Sequence, residues 1–250
     1  SDGKQTFTVC AYNVDGLPNS IAGIEINPDG KGEEGAAAIG SYLSEKQFDV
    51  IALSEDFNFH SSLMAPLAAD YTAGTYRGGL NVSGFNANIR FNTDGLEFLT
   101  RTPIIFGSES WTAWKNNYGK FDNGSDELIT KGFRSYTVSV GDGILVDFYI
   151  MHMDAGSTDA DNAARATQWE QLRDAILARN SGHPVIVMGD TNSRYTRDDI
   201  AGLFVAPLSD AYDVSDVWVE KCLDGVAPTL GGASLMVDEL GYEKGEIVDK

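Results

Sequence analysis

Four apolar stretches of this sequence each end on a side chain that can bind a metal ion or a phosphate group. One of them is PVIVMGDTNSRY, residues 184–195, in which Asp190 and Asn192 follow an unbroken apolar run. The other three end on an amide, a carboxylate and an imidazole, which are Asn13, Glu55 and His152. A single ending of this kind is explained by a strand that stops in an Asx turn. Four of them favour a shared site.

The positions of these groups along their strands agree with that interpretation. Glu55 follows Ile51 and Leu53 at intervals of two residues, and Asn13 and His152 are spaced from apolar residues in the same way. Residues two apart in a strand share a face. We therefore expect each group to continue an apolar face, and the acid and the amide of GDTN to point to the same side.

The composition of this set suits Mg²⁺ or Mn²⁺. These hard cations take one or two carboxylates, and water and substrate phosphate complete the coordination shell. A zinc site is disfavoured because the set contains no cysteine and no pair of histidines. The sequence also contains no glycine-rich phosphate loop, GxSxG nucleophile elbow or kinase signature. The residues therefore predict metal-assisted attack of water on a phosphoester.

The elements that position these groups alternate between strands and helices. The patterns predict strands at 6–13, 49–55, 144–154 and 184–190, and helices at 36–48 and 161–180. The last strand is expected to be fully buried, and the second helix to face the core with Trp169, Leu172 and Ile176. Shorter strands are predicted between 71 and 140, with a surface loop at 116–126. Ligands in layered α/β folds bind outside the carboxyl ends of strands, where the predicted site lies.

Length and charge restrict the class of protein. A chain of 250 residues with 42% hydrophobic content can bury a substantial core, and no Pro-, Gly- or Ser-rich linker divides it. No run approaches the ~18 apolar residues that a membrane-spanning helix needs. Cys10 and Cys222 are too few for a disulfide scaffold. The 18 basic and 37 acidic residues give a net charge of −19, which repels polyanions such as DNA.

Five segments, in this order, resemble the endonuclease/exonuclease/phosphatase superfamily of Mg²⁺-dependent phosphoesterases. They are YNVDGLP (12–18), DVIALSEDF (49–57), GLEFLTRTPI (95–104), HMDAG (152–156) with ARATQ (164–168), and IVMGDTNSR (186–194). The resemblance covers nearly the whole chain and looks most like the sphingomyelinase-type and secreted bacterial branches. It implies an α/β (α+β) fold: a four-layer sandwich of two mixed β-sheets packed face to face, with helices on the outer faces.

The resemblance also implies a role for each residue of the set. Glu55 would hold the metal ion with help from Asn13. Asp190 would orient or deprotonate the attacking water, and Asn192 would position that water and touch the phosphate. His152 would bind the phosphoryl group as charge develops.

The last residues of the sequence, GEIVDK (245–250), resemble the start of the family's penultimate strand, with Asp249 in the place of its aspartate. Family members continue into a Ser-Asp-His element whose histidine is central to catalysis, and this sequence contains no such element. We therefore expect residues 1–250 to form a single domain of this fold that lacks its C-terminal strands, as a fragment of a longer chain. His60 and His183 are predicted to be surface or loop residues.

The predicted substrate is a small-molecule or lipid-headgroup phosphoester, cleaved by a phosphodiesterase or phosphatase. A nuclease is one alternative, disfavoured by the negative charge and the lack of a Lys/Arg cluster. A catalytically inactive binding module of the same fold is another. The protein is expected to be a monomer without a transmembrane segment. The resemblance to the secreted bacterial branch implies a secreted or periplasmic location.

Further residues have weaker claims to the site. Arg101 and Lys131 are candidates for contact with a substrate phosphate, but a solvated strand residue is the commoner case for each. Trp111 and Trp114 are candidates for an aromatic rim around a lipid or a base, but scattered surface or half-buried aromatic residues are at least as common. Arg165 and Gln168 are expected to hold the loop that follows His152.

Overall fold

The secondary structure consists of short strands and a few helices. The computed structural model describes residues 6–21, 24, 25, 27–78, 93–119, 129–233, 235 and 246–250. Its strands are β1 (Val9–Asn13), β2 (Ser20–Ile21), β3 (Ile24–Glu25), β4 (Val50–Ser54), β5 (Thr72–Ala73), β6 (Glu97–Thr100), β7 (Ser110–Ala113), β8 (Gly132–Gly141), β9 (Ile144–His152) and β10 (Val185–Asp190). Its helices are α1 (Gly32–Lys46), α2 (His60–Met64), α3 (Asp159–Arg179), α4 (Ala206–Leu208, continuing from a π-helical turn at Ala201–Val205) and α5 (Val217–Cys222).

Two four-stranded sheets form the centre of the described part of the chain. The strand order is β1-β4-β6-β5 in the first sheet and β10-β9-β8-β7 in the second. β1 is parallel to β4 and β9 is parallel to β10, whereas the other neighbours in both sheets are antiparallel. β2 and β3 form a separate antiparallel pair. Both large sheets are therefore mixed, as the resemblance implied.

The two large sheets pack face to face through an apolar core. Phe98 of the first sheet stacks on Tyr136 of the second with ring centroids 4.2 Å apart, and it lies 5.6 Å from the ring of Phe148. All three side chains are fully buried. Residues of one parity in a strand point to one face, so each sheet presents its large apolar side chains to the other.

Helices cover the outer faces of both sheets. Leu43 of α1 and Leu63 of α2 pack against the first sheet. On the second sheet, α3 buries the side chains that were predicted to face the core, Trp169, Leu172 and Ile176. The order of layers is helix, sheet, sheet, helix, which confirms the four-layer sandwich.

Local signals set the helix boundaries. α1 begins at Gly32, ahead of the predicted 36. α3 begins at Asp159 because Thr158 and Asp161 form a capping box, in which each side chain accepts a hydrogen bond from the other's backbone N–H. Of the predicted loop 116–126, residues 116–119 lie outside helices and strands, and 120–126 are not among the described residues. None of the helices in the described ranges combines the length and the apolar character needed to cross a bilayer.

The prediction that β10 is fully buried is wrong for its first half. Val185, Ile186 and Val187 are half-buried, and full burial begins at Met188. β9 pairs with the whole of β10 on one side, whereas on the other side the described pairing is limited to residues 189–191 with 248–250. An apolar cavity of about 870 Å³ lies beside the open part of β10.

We predict that Phe148→Ala lowers the free energy of unfolding by about 3–5 kcal/mol, because it leaves a cavity between the two sheets. Urea unfolding followed by tryptophan fluorescence measures the change. Phe106→Ala is the matched control, since that ring is fully exposed and its removal should change stability by about 0.5 kcal/mol or less. Equal losses in the two variants would show that Phe148 is not part of the cooperative core.

Candidate active site

Parallel pairing brings the predicted strand-end residues to one end of the sandwich. In the first sheet, Asn13 of β1 pairs with Ser54 of β4, which immediately precedes Glu55. In the second sheet, Asp190 of β10 pairs with His152 of β9. The carboxyl ends of parallel neighbours lie at the same edge of a sheet, so each pair converges without any special loop.

The Asn13 amide joins the two sheets at this end. Its Nδ2 atom donates to Glu55 Oε1 at 2.8 Å and to Asp190 Oδ2 at 3.0 Å. Glu55 follows a strand of the first sheet, whereas Asp190 ends a strand of the second. A single neutral NH₂ group therefore holds two carboxylates from different sheets.

Glu55 reaches the cleft through a turn of the backbone and not through strand alternation. Ile51 and Leu53, with which it is in phase, pack beneath α1 and α2 on the outer face of the first sheet. At Glu55 the backbone takes φ 62°, in the left-handed region, and this redirects the side chain. The Glu55 carbonyl oxygen accepts hydrogen bonds from the backbone N–H groups of Gly16 and Phe57 at 3.0 and 2.9 Å. The expectation that Glu55 continues an apolar face is therefore wrong, although its place in the cleft is as predicted.

The other strand-end groups do follow the alternation. Each is in phase with a residue of the core between the sheets: Asn13 with Ala11, His152 with Ile150, and Asp190 with Met188. The sheet geometry alone therefore aims these three side chains at the top of the inter-sheet core.

His152 lies at the centre of the group and is buried. Its Nε2 atom is 3.7 Å from Asp190 Oδ2, 3.8 Å from Glu55 Oε1 and 3.1 Å from Lys131 Nζ. Burial, and then the Lys131 ammonium, lower the pKa of His152 to about 3, so the imidazole is neutral at pH 7. Trp114 Nε1 donates to the His152 carbonyl oxygen at 2.7 Å. Trp114 is buried and supports the end of β9, so it does not form an aromatic rim.

Lys131 lies in the site, although the sequence favoured a solvated position for it. The prediction of a solvated strand residue is wrong, because Lys131 is 2% exposed and its Nζ atom donates to the Met153 carbonyl oxygen at 3.2 Å. The signal that could have found it is the hairpin of β8 and β9. Phe133 pairs with Met151 across this hairpin, so counting back along β8 places Lys131 opposite Met153.

Asn192 belongs both to a turn and to the cleft. Its backbone N–H donates to Asp190 Oδ1 at 2.9 Å, which makes an Asx turn. Its φ is 47°, so the extended geometry on which the predicted shared side depended ends here. The Asn192 side chain instead donates from Nδ2 to the Met153 carbonyl oxygen at 3.2 Å.

Asp249 brings a third carboxylate into the cleft. It forms an antiparallel bridge with Asp190, and its Oδ1 atom is buried without a hydrogen-bond partner among the described residues. Burial, and then the charges of Asp190 and Glu55, raise the pKa of Asp249 to about 7. Burial also raises the pKa of Glu55. Among the described residues, three carboxylates of this cleft lie near one ammonium group, that of Lys131.

This donor set fits a hard divalent cation. One ligand atom from each of Glu55, His152 and Asp190 lies within 4.8 Å of the other two. Two of these three groups are carboxylates, which together with water are the ligands that Mg²⁺ and Mn²⁺ prefer. A cation in their midst would offset the repulsion among the carboxylates.

Comparison with known families identifies the fold. The sequence profile of the Endonuclease/Exonuclease/phosphatase family matches residues 10–233. The chain belongs to this family. Nucleases and phosphatases both cleave phosphoesters, so membership confirms the predicted superfamily of phosphoesterases.

Within the family, the relatives include bacterial sphingomyelinases. A sphingomyelinase of Mycobacterium tuberculosis is 25% identical over 252 residues, covering 96% of this chain and 45% of that protein, so the chain spans less than half of that relative. Sphingomyelinase C from Streptomyces griseocarneus is 21% identical with a TM-score of 0.63, over 85% of this chain and 72% of that one. A beta toxin variant from Staphylococcus aureus with bound magnesium ions is 20% identical with a TM-score of 0.64, again over 85% and 72%. The two structures share the fold.

In this family member, Arg165 holds the segment that follows His152. Its Nη1 atom donates to the carbonyl oxygens of residues 154–156 at 2.9, 3.2 and 3.0 Å, and its Nε atom to Asp198 Oδ1 at 2.9 Å. Gln168 Oε1 accepts the first backbone N–H of the same segment at 2.9 Å. The supporting role predicted for Arg165 and Gln168 is confirmed.

We predict that Arg165→Met lowers the free energy of unfolding by about 3–5 kcal/mol, since it leaves a buried carboxylate and several carbonyl oxygens without their donor. Amide hydrogen exchange should accelerate first in residues 153–158. Arg101→Met is the control, because Arg101 is exposed, and a surface contact contributes about 1 kcal/mol or less. If the free energy of unfolding fell equally in both variants, the hydrogen bonds of Arg165 would not be what stabilises this segment.

Proposed function

We propose that this protein hydrolyses a phosphodiester of a lipid headgroup, of the sphingomyelin type, by attack of water assisted by Mg²⁺ or Mn²⁺. The observation that carries the proposal is the convergence of Asn13, Glu55, His152 and Asp190 between the two sheets. Similarity to sphingomyelinases supports the lipid class of substrate. The chain spans less than half the length of its curated relatives. The activity of the whole protein is therefore proposed here together with that of the chain.

Glu55 is the proposed metal ligand, and Asn13 is the residue that orients it. The Asn13 amide fixes Glu55 Oε1, and the Glu55 side chain is 21% exposed, so solvent reaches it from the mouth of the cleft. A bound cation would neutralise charge on the phosphoryl oxygens and make the attacking water more acidic. The magnesium ions in the beta toxin structure support the choice of metal.

Asp190 is proposed to orient and deprotonate the attacking water, with Asn192 positioning that water and the phosphate. Asp190 Oδ1 accepts the Asn192 N–H and Oδ2 accepts from Asn13. These two bonds fix the plane of the carboxylate, and proton transfer depends on such alignment.

His152 and Lys131 are proposed to bind the phosphoryl group. The neutral imidazole can donate one N–H, and the ammonium carries a fixed positive charge into a cleft where water does not screen it. Asp249 is proposed to complete the catalytic set, because its backbone pairs with Asp190 beside the same cleft.

A nuclease is the second candidate, because the family includes endonucleases and exonucleases. Nonspecific DNA binding depends on several basic contacts with phosphates, and the net charge of −19 opposes it.

We further propose that the protein is a monomer and that it is secreted or periplasmic. The similarity to a protein named as a toxin supports action outside the cytoplasm.

We predict that Asp190→Asn reduces turnover of sphingomyelin vesicles by about 10²- to 10⁴-fold, because the amide keeps the shape of the side chain and loses the base. The measurement uses the full-length gene product with Mg²⁺, and circular dichroism checks the fold. Asp210→Asn is the control, since Asp210 is exposed. Near-native turnover by Asp190→Asn would mean that the GDTN motif forms a turn and has no catalytic role. Nicking of plasmid DNA without lipid turnover would favour the nuclease.

We predict that Glu55→Gln weakens Mg²⁺ binding in calorimetry, because it removes the charge of the proposed ligand while keeping its hydrogen-bonding shape. Glu45→Gln serves as the control, since Glu45 is exposed on α1. Equal Mg²⁺ affinity in the native protein and Glu55→Gln would move the metal away from Glu55.

A further inference from the structure

A second cluster of ionisable side chains lies on the outer side of the first sheet. Asp56 follows Glu55, His60 begins α2, and Glu97 begins β6. One ligand atom from each of Asp56, His60 and Glu97 lies within 4.8 Å of the other two, and His60 Nδ1 is 2.6 Å from Asp56 Oδ2. Glu97 is in phase with Leu99, which packs in the core beneath α1 and α2. The cluster is therefore on the opposite face of the sheet from Asn13.

Among the described residues, the cluster combines two buried carboxylates with a single imidazole. Asp56 and Glu97 are 1% and 0% exposed. Glu97 Oε1 accepts the N–H of Phe98, whereas Oε2 is buried and has no hydrogen-bond partner among the described residues. Arg134 is the guanidinium nearby, but its Nε and Nη2 atoms donate to Asp94 at 2.8 and 2.7 Å. A carboxylate buried without a compensating partner is costly, so an additional cation would be stabilising here.

The ring of His60 is held in a fixed orientation. Tyr76 stacks on it with centroids 3.6 Å apart and an angle of 15° between the planes, and the Tyr76 hydroxyl donates to the Phe57 carbonyl oxygen at 3.3 Å. The His60 side chain is 25% exposed, which gives an ion access from solvent.

We propose that Asp56, His60 and Glu97 bind a divalent transition-metal ion of the Zn²⁺ class, separate from the Mg²⁺ site of the cleft. One imidazole and two carboxylates are ligands that Zn²⁺ takes in proteins, with water in the fourth position. The cleft also holds one imidazole and two carboxylates, but the Asp249 carboxylate adds further oxygen ligands there, and such a set suits the harder ion. A metal ion at this second site would connect the turn after Glu55 to α2 and β6. The inference does not depend on the proposed phosphodiesterase activity.

The test is Zn²⁺ calorimetry with saturating Mg²⁺ present to occupy the cleft. The native protein should bind one Zn²⁺ at this site, and Glu97→Gln and His60→Gln should each weaken it by roughly 100-fold or more, since even loss of an outer partner of a metal ligand costs about 10- to 100-fold. His60→Gln keeps the test decisive if Glu97→Gln does not fold, because His60 is partly exposed. Co²⁺ added in place of Zn²⁺ should give a visible absorption band that both variants lose.

Two control variants separate this site from others. His183→Gln removes a histidine from a similar pair, in which Nδ1 is 3.3 Å from Asp147 Oδ1, and it should leave Zn²⁺ affinity unchanged. Glu55→Gln should lose Mg²⁺ affinity and keep the Zn²⁺ site. Absence of Zn²⁺ binding to the native protein, or binding that both Glu97→Gln and His60→Gln retain, would overturn the proposal. Greater stability of Glu97→Gln without a change in Zn²⁺ affinity would show that the cluster holds a proton and not a metal.

Discussion

The two halves of the cleft depend on one amide group. Asn13 gives both hydrogens of its Nδ2 atom to carboxylates that belong to different sheets, those of Glu55 and Asp190. Carboxylates this close repel each other, and a neutral donor compensates for that repulsion in part. The contact that assembles the cleft therefore also positions the carboxylates that are proposed to hold a divalent cation. Fold and proposed chemistry share this single contact.

Regular strand geometry explains what could be predicted from the sequence. The places of Asn13, His152 and Asp190 follow from two properties of any β-sheet, the alternation of side chains and the common edge of parallel strand ends. The core face of α3 followed from periodicity in the same way, whereas the layer order was implied by the resemblance to the family. The prediction for Glu55 assumed strand alternation. Alternation does not apply to Glu55, because its backbone turns at φ 62°. That turn requires glycine at position 16, where a Cβ atom would lie 2.3 Å from the Glu55 carbonyl oxygen.

The rest could not be predicted because it depends on neighbours distant in sequence. Periodicity shows which face a side chain occupies but not what lies opposite. Lys131 is buried since the hairpin places it against the end of β9, and Trp114 is buried since its indole reaches a carbonyl oxygen 38 residues away. The second acidic cluster is a similar case. Glu97 stands in an apolar strand pattern, and no feature of its own segment indicates that Asp56 lies beside it.

The separation of the cleft residues along the chain has a consequence for how the protein folds. Asn13 and Asp190 are 177 positions apart, and contacts across such distances form late, because closing a long loop costs entropy that local structure does not repay. Helices and hairpins can form first, but the two acids meet when both sheets have docked. A partly folded chain contains all the cleft residues, but they are not yet assembled into a cleft. A ligand that needs both acids therefore binds the completed fold alone, and by mass action its binding protects that fold against unfolding.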